Sequence, residues 1–176
     1  MNIAKFTQLL SLAAIVGGML SCSGDEDPVD PSATIVGSWT LTNSEVRLNN
    51  LEIDAFSQDF AGRVNQQSGQ NVDWQVLSDN FNQAFAPLLM ANGSTLQFNA
   101  DNSYTDSDGL TGTWQLAGNQ LTVTDQNGTE MFTVSALTNG ALQLIYTEEE
   151  STDNTVFSAY YETLKTDLIF DFQRVP

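Results

Sequence analysis

Histidine is absent from this chain, and cysteine occurs once in its 176 residues. Ser–His and Cys–His nucleophile pairs need an imidazole to take up the proton, so neither is available. Zinc and iron sites built on imidazole or thiolate ligands go with them. A single cysteine also excludes a disulfide within the chain. Basic residues are scarce: five Lys and Arg stand against 22 Asp and Glu, a formal charge of −17. Five cations do not make a basic patch, so nucleic acid is expected to be repelled rather than bound. Long apolar runs are missing too. The stretch from Phe6 to Leu20 is broken by Thr7, Gln8 and Ser11 and is too short for a stable spanning helix.

The amino terminus has another use. Met1 to Lys5 is weakly positive, the apolar stretch follows, and small residues lead into Cys22. That order reads as a secretory signal over 1–21, removed before folding. Leu20-Ser21-Cys22 resembles the lipobox of bacterial lipoproteins, in which the cysteine becomes residue one and carries acyl chains. The resemblance implies lipidation at Cys22, with palmitate-type chains, and a membrane partner through that anchor; more than one chain makes such an anchor lasting. The plainer reading is an ordinary secretory signal with an incidental free thiol. Ser23-Gly24-Asp25-Glu26-Asp27 is similar to the acidic export signal of surface-exposed outer-membrane lipoproteins, although a solvated linker would be acidic as well. Residues 22–33, with DEDPVDPS at their centre, read as a tether extended by proline and kept solvated by acids. The folded domain is expected over 34–176, with the protein on the outer membrane and facing the cell surface.

Two textures divide that domain. Between 50 and 93, apolar residues recur at helical spacing: Ile53, Phe56, Phe60 and Val64, then Trp74, Leu77, Phe81, Phe85 and Leu88. Asn49 or Asn50 would cap the first helix and Gly69 follow its end; Asn71 or Asp73 would cap the second. Pro87 predicts a kink or an early end near Ala86. From Ser94 the period changes to two, in Leu96 and Phe98, Leu121 and Val123, Phe132 and Val134, Leu142, Leu144 and Tyr146, and Leu168, Phe170 and Phe172. Gly118-Asn119, Asn127-Gly128 and Asn139-Gly140 sit between such runs and accept the positive φ of two-residue hairpin turns. An earlier strand, Ile35 to Leu41, continues through Val46 and Leu48 with a change of phase that predicts a bulge. Tyr160, Tyr161 and Leu164 fit a strand or a loop. The expectation is a mainly β domain of about eight antiparallel strands, closed as an up-and-down barrel so that no edge is left bare, with a helical insert at 50–93 between the first and second strands.

At Gly37-Ser38-Trp39 a known pattern appears. A Gly-x-Trp on the first strand of such a barrel resembles the lipocalins. The stretch LQFNADNSYTDSDGLTGTWQLAGNQLTV, residues 96–123, resembles the small lipocalin-like domains of bacterial lipoproteins. In that family an arginine of the last strand packs across the signature tryptophan at the closed end. The resemblance thus implies that Gly37, Trp39 and Arg174 form the barrel base; Arg47 is the competing arginine.

Carboxylate chemistry remains to be weighed. Asp106 and Asp108 flank Ser107, and Glu148, Glu149 and Glu150 run together, but these read as solvated turns rather than a paired acid and base. Tyr104 and Gln115 stand where a calcium loop of the helix–loop–helix type needs ligands. No enzyme activity, metal or cofactor is expected. Apolar binding is left, since an eight-stranded barrel either fills with its own side chains or holds one small ligand. Phe98, Trp114, Phe132 and Tyr146 are inward candidates for a hydrophobic ligand, joined by Phe60, Trp74, Phe81 and Phe85 if the insert lies over the mouth as a lid. Against the outside of the barrel, the same insert would be packing only. The reading is a surface-anchored carrier of a small apolar molecule, with the helical insert as its lid. Its rival is a filled, non-enzymatic accessory subunit that docks on an outer-membrane protein partner.

Overall fold

The computed structural model describes residues 35–153 and 155–176. The signal, Cys22 and the tether lie outside the described residues. Strand β1 (Gly37–Leu48) leads into a two-residue strand β2 (Leu51–Glu52), helices α1 (Ile53–Ser68) and α2 (Trp74–Phe85), and a 3-10 turn at Ala86–Leu88. A meander follows: β3 (Thr95–Phe98), β4 (Ser103–Asp106), β5 (Thr111–Ala117), β6 (Gln120–Asp125), β7 (Gly128–Leu137), β8 (Ala141–Ser151) and β9 (Thr163–Arg174). Each of these strands pairs antiparallel with the next, β3 pairs with β1, and β9 returns to β1. The sheet therefore closes as an eight-stranded antiparallel barrel, with β2 a short flap on β1.

Alternation decides which residues fill it. On β6, Leu121, Val123 and Asp125 share one face. That face meets Leu116 and Trp114 of β5 on one side and Phe132 and Glu130 of β7 on the other, in register. On β1 the register with β9 shifts between Leu41 and Asn43. This bulge is what lets Trp39 and Leu41 before it and Val46 and Leu48 after it all be buried despite their change of phase. Trp39, Phe98, Trp114, Leu121, Leu142 and Phe172 are buried together, and half-buried Arg174 lies at the end where the chain enters and leaves the barrel.

That end is closed by a specific contact. The Arg174 guanidinium lies over the Trp39 ring, 4.4 Å from Cζ to the centroid, and Nη1 donates to the Val36 carbonyl at 2.9 Å. Gly37 holds φ at 139°, and a Cβ there would sit 2.6 Å from Arg174 Nη1. The glycine of Gly-x-Trp is therefore needed twice, for its backbone and for the room the guanidinium takes. Trp39 Nε1 donates to the Ile35 carbonyl at 2.7 Å, so the buried indole leaves no donor unpaired. Arg47 instead pairs with Glu45 at 2.8 Å.

The insert has its own small core. Phe56 and Phe60 of α1 and Phe81 of α2 meet Phe157, Tyr160 and Tyr161 of the β8–β9 loop, with ring centroids 4.9 to 6.3 Å apart. Asp59 accepts from the Tyr161 hydroxyl at 2.7 Å and from Arg63 at 2.8 Å, and Arg63 covers the Tyr161 ring. Gly69 ends α1 with φ at 67°, and the Asp73 side chain caps α2 by accepting from the Gln75 amide. Pro87 falls in the 3-10 turn after α2 has stopped, as its missing amide requires.

Three local expectations are corrected. Asn49 and Asn50 do not cap α1; with φ of 50° and 66° they turn the chain from β1 to β2, and Glu52 precedes the helix. Adjacent asparagines tolerate left-handed backbone, so a hairpin wins over a cap. Asn127-Gly128 is displaced by one residue: Asp125 pairs with Gly128, which leaves Gln126 and Asn127 as the turn. At Asn139-Gly140 the turn is where expected without positive φ, because the Thr138 hydroxyl accepts from the Gly140 and Ala141 amides and holds it. Tyr160 and Tyr161 belong to the loop, and Leu164 to β9.

Candidate functional site

The barrel is filled only at its base. Above the Trp39 layer it holds a cavity of about 310 Å³ with a built floor and a different rim. Phe98, Phe132, Phe170 and Phe172, with Leu96 and Leu144, make an apolar floor and walls. One side is completed by Leu89, Met90 and Ala91, the segment that descends from the insert to β3; Ser44 of β1 donates to the Met90 carbonyl and ties it down. The volume is at the lower end of the roughly 300–1,000 Å³ usual for small-molecule sites.

The rim is acidic. Asp106 and Asp108 reach it from the β4–β5 turn, Asp125 from the end of β6 and Glu130 from the start of β7. Asp106 also shapes its own turn, accepting from the Asp108 amide at 2.9 Å and the Leu110 amide at 2.8 Å. Tyr104 of β4 crosses the barrel wall to donate its hydroxyl to Asp125 at 2.8 Å. It gets there because Gly112 of β5 is bare: a Cβ on Gly112 would lie 2.6 Å from the Tyr104 ring and 2.2 Å from the Thr124 carbonyl oxygen. Burial, then the bond to Asp125, push the Tyr104 hydroxyl far above its ordinary pKa, so it stays a donor. Glu130 is raised by burial first and by the Asp125 charge second. Tyr146, which donates to Glu148 at 3.1 Å, is pushed up to about 12 by burial and that neighbouring charge.

The residues anticipated as ligand contacts separate into three places. Phe98 and Phe132 line the cavity. Trp114 is buried beneath it, edge-on to Phe98 at 5.7 Å, with Nε1 donating to the Asn99 carbonyl, and Tyr146 stands behind Phe132 at 5.9 Å. Phe60 and Phe81 face the aromatic rings of the insert and the β8–β9 loop, while Trp74 and Phe85 are half-buried on α2; none of the four lines the cavity. What the insert gives the cavity is its trailing segment, 89–91, and not its helices.

Tyr104, Asp125 and Glu130 were not singled out as site residues from sequence, although a signal was there. Asp125 keeps step with Leu121 and Val123, and Glu130 with Phe132 and Val134. An acid at an inward phase of an alternating strand points into the barrel, and that phase was the readable clue.

No curated protein and no solved structure matches this chain. A family model described as a lipocalin-like domain matches residues 35–144, from the first turn before β1 to the middle of β8. The last strand, β9, lies beyond the match and still closes the barrel on β1. The closed antiparallel barrel with Gly-x-Trp on its first strand agrees with that match, and the chain belongs to the lipocalin-like domain family.

Proposed function

We propose that this protein is a non-catalytic carrier that holds a small apolar molecule in its barrel, anchored to the outer membrane through acylated Cys22 and facing the cell surface. The observation that carries the reading is the cavity of about 310 Å³ over an aromatic floor. A barrel selected only as a scaffold gains stability by closing such a space, since each lost contact costs packing energy. The docking alternative calls for an exposed aromatic face on the insert, and here Phe56 and Phe60 are buried while Phe81 is half-buried among its partner rings. Saturable fluorescence of a neutral probe, N-phenyl-1-naphthylamine, tests the reading. The chain is expected to enhance it, and Val123→Trp, which fills the cavity, to abolish the effect while keeping a cooperative melt. No enhancement, or enhancement that survives in Val123→Trp, would contradict it.

A further inference from the structure

The floor of the cavity is aromatic, and its rings are held in place. Phe98, Phe170 and Phe172 are buried, and half-buried Phe132 joins them. Phe98 stands edge-on to Trp114, with ring centroids 5.7 Å apart, and Tyr104 tilts against it at 6.5 Å. Phe132 is backed by Tyr146 at 5.9 Å. Beneath lie Trp114, Leu121 and Trp39, all buried, and both indole nitrogens donate to backbone carbonyls, which fixes those rings in turn. Close packing of that kind leaves no room for the floor to drop. The cavity is also short. On β6 one inward side chain, Val123, separates buried Leu121 from Asp125 at the rim, so base to rim spans about 13 Å of strand, before tilt shortens it. An apolar cavity of about 150 Å³ holds one benzene ring. On that scale a cavity of about 310 Å³ accommodates a body of about two rings.

We propose that the cavity selects compact, flat aromatic molecules of about two rings, seated on the Phe98, Phe132 and Phe170 rings, over long acyl chains. This rests on the carrier reading and names its ligand class. Rings that are held offer fixed faces and edges, and a flat guest meets them stacked or edge-on. Each such pair is worth a factor of about two to ten beyond the surface it buries. A rigid guest also has few rotors to freeze, whereas a chain loses freedom at every bond it orders. Met90, on the segment from the insert, also lines the cavity, and its flexible thioether can adapt to a ring edge. A chain longer than the cavity would leave its far end in water.

The test is calorimetric titration of the full chain with three neutral probes that share one carbon count and one hydroxyl: 2-naphthol, decahydro-2-naphthol and 1-decanol. 2-Naphthol is expected to bind about two- to tenfold tighter than its saturated counterpart. It should also bind tighter than decanol, although the chain has more apolar surface to bury. Phe132→Leu keeps the wall apolar at a half-buried position, so it should fold, cut the preference for the flat probe and leave the saturated one bound. Phe60→Leu removes a ring from the insert cluster, away from the cavity, and should keep the preference. Decahydro-2-naphthol or decanol binding as tightly as 2-naphthol, or tighter, would overturn the aromatic class and leave the carrier. A preference untouched by Phe132→Leu, or lost equally in Phe60→Leu, would overturn it too, by placing its source outside the cavity. If none of the three probes binds, the carrier reading fails and the selectivity with it.

Discussion

Trp39 and Arg174 illustrate how much one residue pair can decide. They are 135 positions apart in sequence, yet they face each other in the β1–β9 register and seal the barrel base. A cation over an indole contributes about 0.5–2 kcal/mol, so the losses for Trp39→Phe and Arg174→Ala should be non-additive by roughly that amount in denaturant melts. Additive losses would refute the pairing. Gly112→Ala should push the Tyr104 ring off its wall and break its bond to Asp125, and a fall in the tyrosine hydroxyl's pKa would report it. Glu130 makes a prediction in pH. Its folded pKa is raised, so its charged form is worse off in the fold than in the unfolded chain. The resulting cost is present above the folded pKa, fades as pH falls through it and is gone below the ordinary carboxyl value of 4.5. Glu130→Gln should therefore melt higher than the parent at pH 7, with the gain lost by about pH 4. Equal melting temperatures at pH 7 would contradict the burial of that charge.

At the level of elements, the strands and helices were legible because each has one period and one apolar face. The bulge in β1 was legible too, from the phase change between Leu41 and Val46, as was the stop before Pro87. What escaped was pairing between distant parts. Nothing local in Phe56, Phe60, Phe157 or Tyr161 says that an insert helix and the β8–β9 loop will share one aromatic cluster. The lid over the cavity was expected for the same reason, and the helices pack on the β8–β9 loop instead: an amphipathic face states that it will be buried, not against what. Phe56→Ala should cost about 3–5 kcal/mol, since the ring is fully buried and has four aromatic neighbours. The Asp59 link between α1 and that loop should fail in acid. Its pKa is lowered by its bonds to Arg63 and Tyr161, so its contribution is present above the ordinary value of 3.8 and is lost as pH falls through the folded one. Asp59→Asn should remove that part of the acid sensitivity in a melt series; an unchanged profile would show that the link holds nothing.

As a whole, the molecule divides its labour by height along the barrel. The base is filled and pinned by Trp39 and Arg174, the middle is an open aromatic space, and the mouth carries Asp106, Asp108, Asp125 and Glu130. The existence of the cavity is the claim on which this rests. Sequence left it open, because Phe98, Phe132 and Phe170 serve a packed core and a binding site equally well; only the relative placement of eight strands separates the two. The most direct measurement is native mass spectrometry of the chain purified without detergent from the cells that make it. The account predicts a mass above that of the polypeptide which returns to the bare value on extraction with organic solvent, or a bare chain that takes up one equivalent of an added apolar amphiphile. A bare mass that takes up none would mean that the space closes in solution, and the carrier would have to be abandoned.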